Sequence, residues 1–207
     1  MSADNLMRRN VIILAVCLAL MMSATSLVII TSALVGAILA PNRFWATVPL
    51  ACMFIGSLSS AFPASLLMKR IGRRAGFAFG LGFALAGAVV ATFGLLESNF
   101  IVFCGGSLLI GLFNGFGQFY RFAAADAASE EYRSRAISWV LAGGIVAAFV
   151  GPNLATWSQY LIVGTRFAGS YASLLVLYLL SLGLIAWIRI PKPVSYTHLT
   201  LPTILLV

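Results

Sequence analysis

The chain has 207 residues, of which 61% are hydrophobic and only 9% are charged, and its formal net charge is +8. A soluble domain carries about a quarter charged residues, so this composition excludes an ordinary soluble globular protein and indicates a membrane protein. The positive charge does not indicate nucleic-acid binding, because the cations lie in short clusters between apolar runs, which is the pattern of membrane topology.

Six apolar stretches are long enough to cross the hydrocarbon, which takes about 20 residues of helix. The fold class is therefore all-α and polytopic, with an N-terminus at 1–10, a bundle of six transmembrane helices at 11–190 and a tail at 191–207. The first run is too long for a signal peptide, whose apolar core has about 7–15 residues. Before the fourth helix, Ser98 or Asn99 can act as N-cap, and 123–133 forms a polar link. The predicted helices are 11–38, 44–68, 75–96, 100–122, 134–157 and 167–190.

Lysine and arginine positions predict the orientation. Cytoplasmic loops carry an excess of these residues, and alternate ends of the six helices differ sharply in them. One side holds only Arg43 and Arg166. The other side, which we expect in the cytoplasm with both native ends, holds Arg8, Arg9, Lys69, Arg70, Arg73, Arg74, Arg121, Arg133, Arg135, Arg189 and Lys192. The expected location is a bacterial-type inner (plasma) membrane.

The densest cationic cluster follows the second helix and reads Ser65-Leu66-Leu67-Met68-Lys69-Arg70-Ile71-Gly72-Arg73-Arg74. It resembles the signature of the major facilitator superfamily between helices 2 and 3, Gly-x-Leu-Ala-Asp-Arg-x-Gly-Arg-Arg/Lys. Leu67, Arg70, Gly72, Arg73 and Arg74 match the pattern. Ser65 and Met68 are mild changes, whereas Lys69 replaces an aspartate and reverses a charge.

Two further stretches are similar to family motifs. Arg133-Ser134-Arg135-Ala136 resembles the Arg-x-Arg-Ala stretch that opens helix 5, and Gly151-Pro152-Asn153-Leu154-Ala155 resembles the Gly-Pro-x-x-Gly core of the helix 5 antiporter motif. The antiporter motif of helix 4 is not kept, because Gly111 stands where that motif has arginine. Two segments within the chain show a faint sequence similarity, namely Gly72-Arg73-Arg74-Ala75-Gly76 before the third helix and Gly164-Thr165-Arg166-Phe167-Ala168-Gly169 before the sixth.

The resemblance implies the N-terminal half of a twelve-helix carrier that is built as an inverted 3+3 repeat. It further implies a secondary active transporter, drug/solute antiporter-like, that moves a small solute by alternating access. The expected partners are that solute, membrane lipids and a missing C-terminal half or a second copy, with no nucleic acid and no cofactor. A proton is left open as coupling ion, because no acid lies in the middle of a span.

The reversed charge at Lys69 means that a balancing acid must come from elsewhere. Our hypothesis is that Arg70, Arg73 or Arg74 pairs with an acid and latches helices 2–3 to helices 4–5 in one conformational state. The alternative is that these cations only orient the chain and contact lipid phosphates. The nearest acids are Asp126, Glu130 and Glu131, and the expected gating motif comprises Lys69, Arg70, Gly72, Arg73, Arg74, Asp126, Arg133 and Arg135.

Polar residues inside the spans predict the substrate path. Asn114, Gln118 and Arg121 are four and three residues apart, so they share one face of the fourth helix. Arg121 can instead extend to the interface or pair with an acid. The same path could be lined by hydroxyls of the first helix, although such hydroxyls usually bond the backbone or a neighbouring helix; they are Ser23, Thr25, Ser26, Thr31 and Ser32.

Small residues predict where helices approach or bend. The pairs Gly76/Gly80 and Gly111/Gly115 each lie on one helical face, which favours close packing or a contact that slides. In the fifth helix, Gly151 and Pro152 predict a kink. The two interpretations are a purely structural kink and a hinge beside the transport pathway.

The sequence also bears on alternatives to a twelve-helix carrier. An intramembrane protease or metalloenzyme is disfavoured, because the spans lack histidine and acids and contain no metal-ligand cluster. A half-size carrier that dimerises, or a non-transporting structural membrane protein, remains as the alternative function. Residues 194–207 look like translated sequencing-adapter DNA and are expected to be non-native. The alternative is that they form a native tail. His198, the single histidine, lies in this segment and is given no role.

Overall fold

The computed structural model describes residues 3–162 and 164–188. In these residues the chain forms helices and no strand, and six helical stretches are long and apolar enough to cross a membrane. The predicted all-α, six-span fold is therefore confirmed. Arg189, Lys192, His198 and the adapter-like segment 194–207 lie outside the described residues. The helices are α1 (Ala3–Leu39), a 3-10 helix (Arg43–Trp45), α2 (Val48–Ile71), α3 (Arg73–Leu96), α4 (Phe100–Gly117), α5 (Tyr120–Ala127), α6 (Arg133–Ser158) and α7 (Ala168–Trp187).

The fourth span is broken where the sequence predicted one continuous helix over 100–122. Helix α4 ends at Gly117, a turn follows at Gln118 and Phe119, and α5 continues through much of the predicted polar link. Alanine is the best helix former, and the segment is rich in it. Its apolar side packs inward, with Tyr120, Ala123 and Ala124 buried.

Individual residues explain where several helices begin. The side chain of Asn99, rather than that of Ser98, accepts a hydrogen bond from Val102 N at 3.1 Å and caps α4. Gly72 joins α2 to α3 with φ +88°, and Gly164 precedes α7 with φ +94°, both values that favour glycine. The two similar segments thus each begin with a glycine of positive φ.

Two helix pairs have a matching arrangement. Helix α2 packs along α4, and α1 packs along α6, as expected when an inverted repeat exchanges the first three spans with the last three. Glycines bring both pairs into backbone contact. A Cβ at Gly111 would overlap the carbonyl oxygen of Met53, and a Cβ at Gly143 would lie 2.9 Å from that of Ala15. Small residues commonly allow such close approach between membrane helices.

Two glycines of α4 give a matched test of this packing. We expect Gly111→Ala to lower the thermal unfolding midpoint in detergent, because overpacking costs about 1–3 kcal/mol and outweighs the helix propensity of alanine. Gly105→Ala is the control, since a Cβ there meets no atom within 4 Å. Equal midpoints for the two variants would contradict a tight α2–α4 contact.

Candidate functional site

A cavity of about 370 Å³ lies among α1, α2, α4 and α6. Both glycine-packed pairs contribute to its wall, so the close contacts that hold the bundle together also fix the shape of the cavity. The wall is mainly apolar, with hydroxyl and amide groups and no charged side chain. Its lining residues are Met21, Met22, Thr25, Ser26, Ile29, Ile30, Met53, Phe54, Ser57, Asn114, Gln118, Gly144, Ala147 and Ala148.

The polar centre of the cavity joins α1 to α4. The hydroxyl of Thr25 lies 3.0 Å from Oδ1 of Asn114 and 2.9 Å from the carbonyl oxygen of Met21, and can donate to either. Asn114 is only 6% exposed, whereas Gln118, one turn further along, is exposed. A buried amide next to an exposed one offers both donors and acceptors to a bound molecule.

Arg121 does not line this cavity, contrary to the spacing argument. A turn at Gln118 and Phe119 separates it from Asn114 on α4. Arg121 instead lies in α5 with its guanidinium 4.9 Å from the ring centre of Phe122, and it is not among the residues that line the cavity. The predicted substrate path is thus brought together for Asn114 and Gln118 only.

The hydroxyls of α1 divide between two directions. Thr25 and Ser26 line the cavity, whereas Ser23 bonds back to its own helix at Ala19 O. Ser32 lies 3.0 Å from the hydroxyl of the buried Tyr171 in α7, and Thr31 3.4 Å from it. The far end of α1 therefore uses its hydroxyls to bind α7 rather than a solute.

Helix α6 continues through Pro152 to Ser158. Proline has no N–H, so the carbonyl of Ala148 loses its helical donor, and Ala148 lines the cavity. Gly151 packs on α1, where a Cβ would lie 2.6 Å from Cβ of Ser26. The Gly-Pro step therefore lies directly beside the cavity wall without lining it. A second internal proline, Pro63, lies within α2.

At the end of the bundle that carries the cationic cluster, Arg73 forms an ion pair with Asp126. Nε of Arg73 donates to Oδ2 of Asp126 at 2.6 Å, and Nη2 contacts the same oxygen. The two side chains are 20% and 43% exposed. The pair ties the start of α3 to α5, and among the residues that the structure describes it is the only side-chain ion pair.

The other cations of the expected gating motif behave differently. Nη2 of Arg74 donates to the carbonyl oxygen of Ala186 at 2.7 Å, and Arg9 contacts that of Trp187 at 3.5 Å, so both neutralise the C-terminal end of α7. Exposed residues of the motif and link that form no ion pair in the described part of the chain are Lys69, Arg70, Glu130, Glu131, Arg133 and Arg135. Gly72 supplies the turn between α2 and α3.

The comparisons with known proteins identify the class of protein. No family model matches the chain. Over 185 residues, 89% of its length, the chain is 40% identical to the riboflavin transporter RfnT of Brucella anthropi. Over 128 residues, 58% of its length, it is 35% identical to the uncharacterized MFS-type transporter YddS of Bacillus subtilis. These regions span 46% of the first relative and 28% of the second.

Both relatives are named as transporters, and the six spans agree with one half of such a carrier. The chain is therefore an integral, multi-pass membrane protein that is similar to one half of a transporter. Its resemblance to the major facilitator superfamily, predicted from the cluster around Arg70 and Gly72, is confirmed.

The Arg73–Asp126 pair gives a second testable prediction. We expect Arg73→Gln and Asp126→Asn each to lower the thermal midpoint, and the double variant to lose little more than the worse single variant. The coupling should be at most about 1 kcal/mol, because both groups are partly exposed.

The matched control for this cycle is Glu131→Gln. Glu131 is an exposed acid of the same link without an ion-pair partner among the described residues. Its effect should add to that of Arg73→Gln. Additive behaviour of Asp126→Asn with Arg73→Gln would show that the contact contributes nothing to stability.

Proposed function

We propose that the chain is the N-terminal half of a secondary active transporter, which moves a small solute across the inner membrane by alternating access. The observation that carries this proposal is the cavity among α1, α2, α4 and α6, which is lined by the amides of Asn114 and Gln118 and the hydroxyl of Thr25. In this proposal both native ends are cytoplasmic, so that the Arg73–Asp126 pair lies on the cytoplasmic side.

A second six-helix half would complete the carrier. Helices α2 and α6 have the most exposed membrane-length segments of the described bundle, and both contribute to the cavity wall. Because the first relative is about twice as long as the matched region, we favour the remaining half of one twelve-helix protein over a second copy of this chain. In both arrangements the cavity would be enclosed between the two halves.

The cavity fits an uncharged solute with polar edges. Its wall contains no acid or cation, so it offers little compensation for the desolvation of a charged group. Phe54 and the flexible Met21 and Met22 offer a soft apolar surface, and the amides of Asn114 and Gln118 complement ring carbonyl and imino groups. Riboflavin, named as the solute of the first relative, has this chemistry. We therefore propose riboflavin or a similar neutral heterocycle as substrate.

Uptake of radiolabelled riboflavin by an auxotrophic bacterial strain tests the substrate and the path together. Cells expressing the full-length protein should accumulate riboflavin. Asn114→Leu should lower the rate roughly tenfold or more, because a buried polar group of the solute would lose its partner.

Asn153→Leu is the matched control, since this exposed amide bonds Phe149 O within α6 and does not line the cavity. Its uptake rate should stay near that of the wild-type protein. If the wild-type protein accumulates no riboflavin, the substrate proposal is wrong. If both variants transport equally well, the cavity is not the path.

The Arg73–Asp126 pair is proposed as a latch that stabilises one conformational state. It links α3 to α5, across the turn that interrupts the fourth span, and the partial burial of Arg73 strengthens the attraction. Because Asp126 lies at the end of the fourth span rather than in its middle, it is suited to gating more than to central proton transfer. Within the described spans, no acid is placed to accept a proton at the middle of the membrane.

Transport rates test the latch. We expect Asp126→Asn and Arg73→Gln to change the initial rate of uptake by a similar factor, because both release the same contact, and the double variant should resemble either one. Glu131→Gln should transport at the wild-type rate. Two wild-type rates for the single variants, with an additive double variant, would rule the latch out.

A further inference from the structure

A second groove, separate from the central cavity, lies on the side of the bundle between α2 and α3. Both helices pack along α4 but contact each other much less, so they diverge and leave an open groove whose floor is α4. Its volume is about 440 Å³. The lining residues are Ser59, Ser60, Pro63, Leu66, Leu67, Arg70, Phe79, Phe83, Leu112 and Phe116.

The groove is apolar between Ser59 and Ser60 at one end and Arg70 at the other. Three phenylalanines form a cluster on its α3 and α4 sides, with ring centres of Phe79 and Phe83 5.1 Å apart and those of Phe79 and Phe116 6.0 Å apart. Phe79 is 52% exposed and Leu66 is 47% exposed, so apolar surface is open towards the surroundings of the bundle. In a membrane those surroundings are lipid acyl chains.

The length of the groove matches one leaflet of the bilayer. Ser59 and Arg70 mark its two ends on α2, and at the helical rise per residue they are about 16 Å apart along the axis. The hydrocarbon core is about 30 Å thick, so the groove extends from the membrane surface to about the midplane. This is the depth that a single phospholipid occupies.

The polar end of the groove carries an unneutralised cation. Arg70 is exposed and forms no ion pair in the described part of the chain. Neighbouring residues do not neutralise the positive charge at this end of the groove, because Asp126 is paired with Arg73 and Lys69 adds another positive charge. A guanidinium at the membrane surface binds phosphate oxygens through paired hydrogen bonds.

From this complementarity we propose that the groove between α2 and α3 binds one anionic phospholipid. The phosphate contacts Arg70, and one acyl chain lies over Leu112 and the phenylalanine cluster. This site opens to the side of the bundle, whereas the central cavity opens among α1, α2, α4 and α6. The proposal depends only on the membrane location of the protein, and it does not depend on the transported solute.

Native mass spectrometry of the full-length protein in a mild detergent tests this site. Dioleoyl phosphatidylglycerol and dioleoyl phosphatidylcholine are titrated separately, since the two lipids share acyl chains and differ in net charge. We expect tighter binding of phosphatidylglycerol. Arg70→Gln should weaken it about fivefold, the usual effect of one cation near an anionic surface, and should weaken phosphatidylcholine less, because the choline cation already compensates that phosphate.

Two further variants separate the parts of the site. Leu112→Trp fills the floor of the groove and should weaken the binding of both lipids. Lys69→Gln is the matched control, because this adjacent exposed cation lines a different cleft, next to Arg73 and Asp126. It should leave the affinity for phosphatidylglycerol within twofold of the wild-type value.

Three results would overturn the proposal. Equal weakening by Arg70→Gln and Lys69→Gln would indicate diffuse attraction to the cationic end of the bundle. Equal binding of the two lipids by the wild-type protein would show that the groove does not select an anionic lipid. Unchanged lipid binding in Leu112→Trp would mean that the groove is covered by another part of the protein or of its assembly.

Discussion

Close backbone contact within two helix pairs is the constraint on which the rest of the structure depends. In lipid, apolar side chains gain little by packing against each other, so helix association relies on van der Waals contact. Gly111 lets α4 lie against α2 at Met53, and Gly143 and Gly151 do the same between α6 and α1. These two pairs provide the four helices that enclose the central cavity. The packing of the bundle and the shape of its site therefore have one physical cause.

The spans, their number and the close-packed glycine faces could be predicted because each leaves a local signal. An apolar run must cover the hydrocarbon thickness, and glycines four residues apart lie on one face of a helix. Asn99 was one of two predicted caps, and the structure selects it. The confirmed family resemblance likewise depended on short motifs around Gly72.

The interruption of the fourth span could not be predicted in the same way. Hydropathy is nearly continuous through Phe119 and Tyr120, yet a turn at Gln118 and Phe119 separates α5 from α4. Arg121 lies beyond this turn and does not line the cavity. Asp126, also on α5, lies beside Arg73 of α3. The contributions of Phe54 and Ser57 to the cavity likewise depend on how α2 rotates against α4, which no local spacing records.

The lysine at position 69 accounts for how charge is distributed at the cationic end of the bundle. Where the family pattern has an aspartate, a local acid would neutralise nearby arginines. Among the described residues, the acid in contact with these arginines is Asp126, which pairs with Arg73, while Arg74 binds the last turn of α7. Arg70 is left without a counter-ion from the described residues at the mouth of an apolar groove. Because position 69 holds no acid that could neutralise Arg70, the charge of this arginine stays available to a phosphate from the membrane.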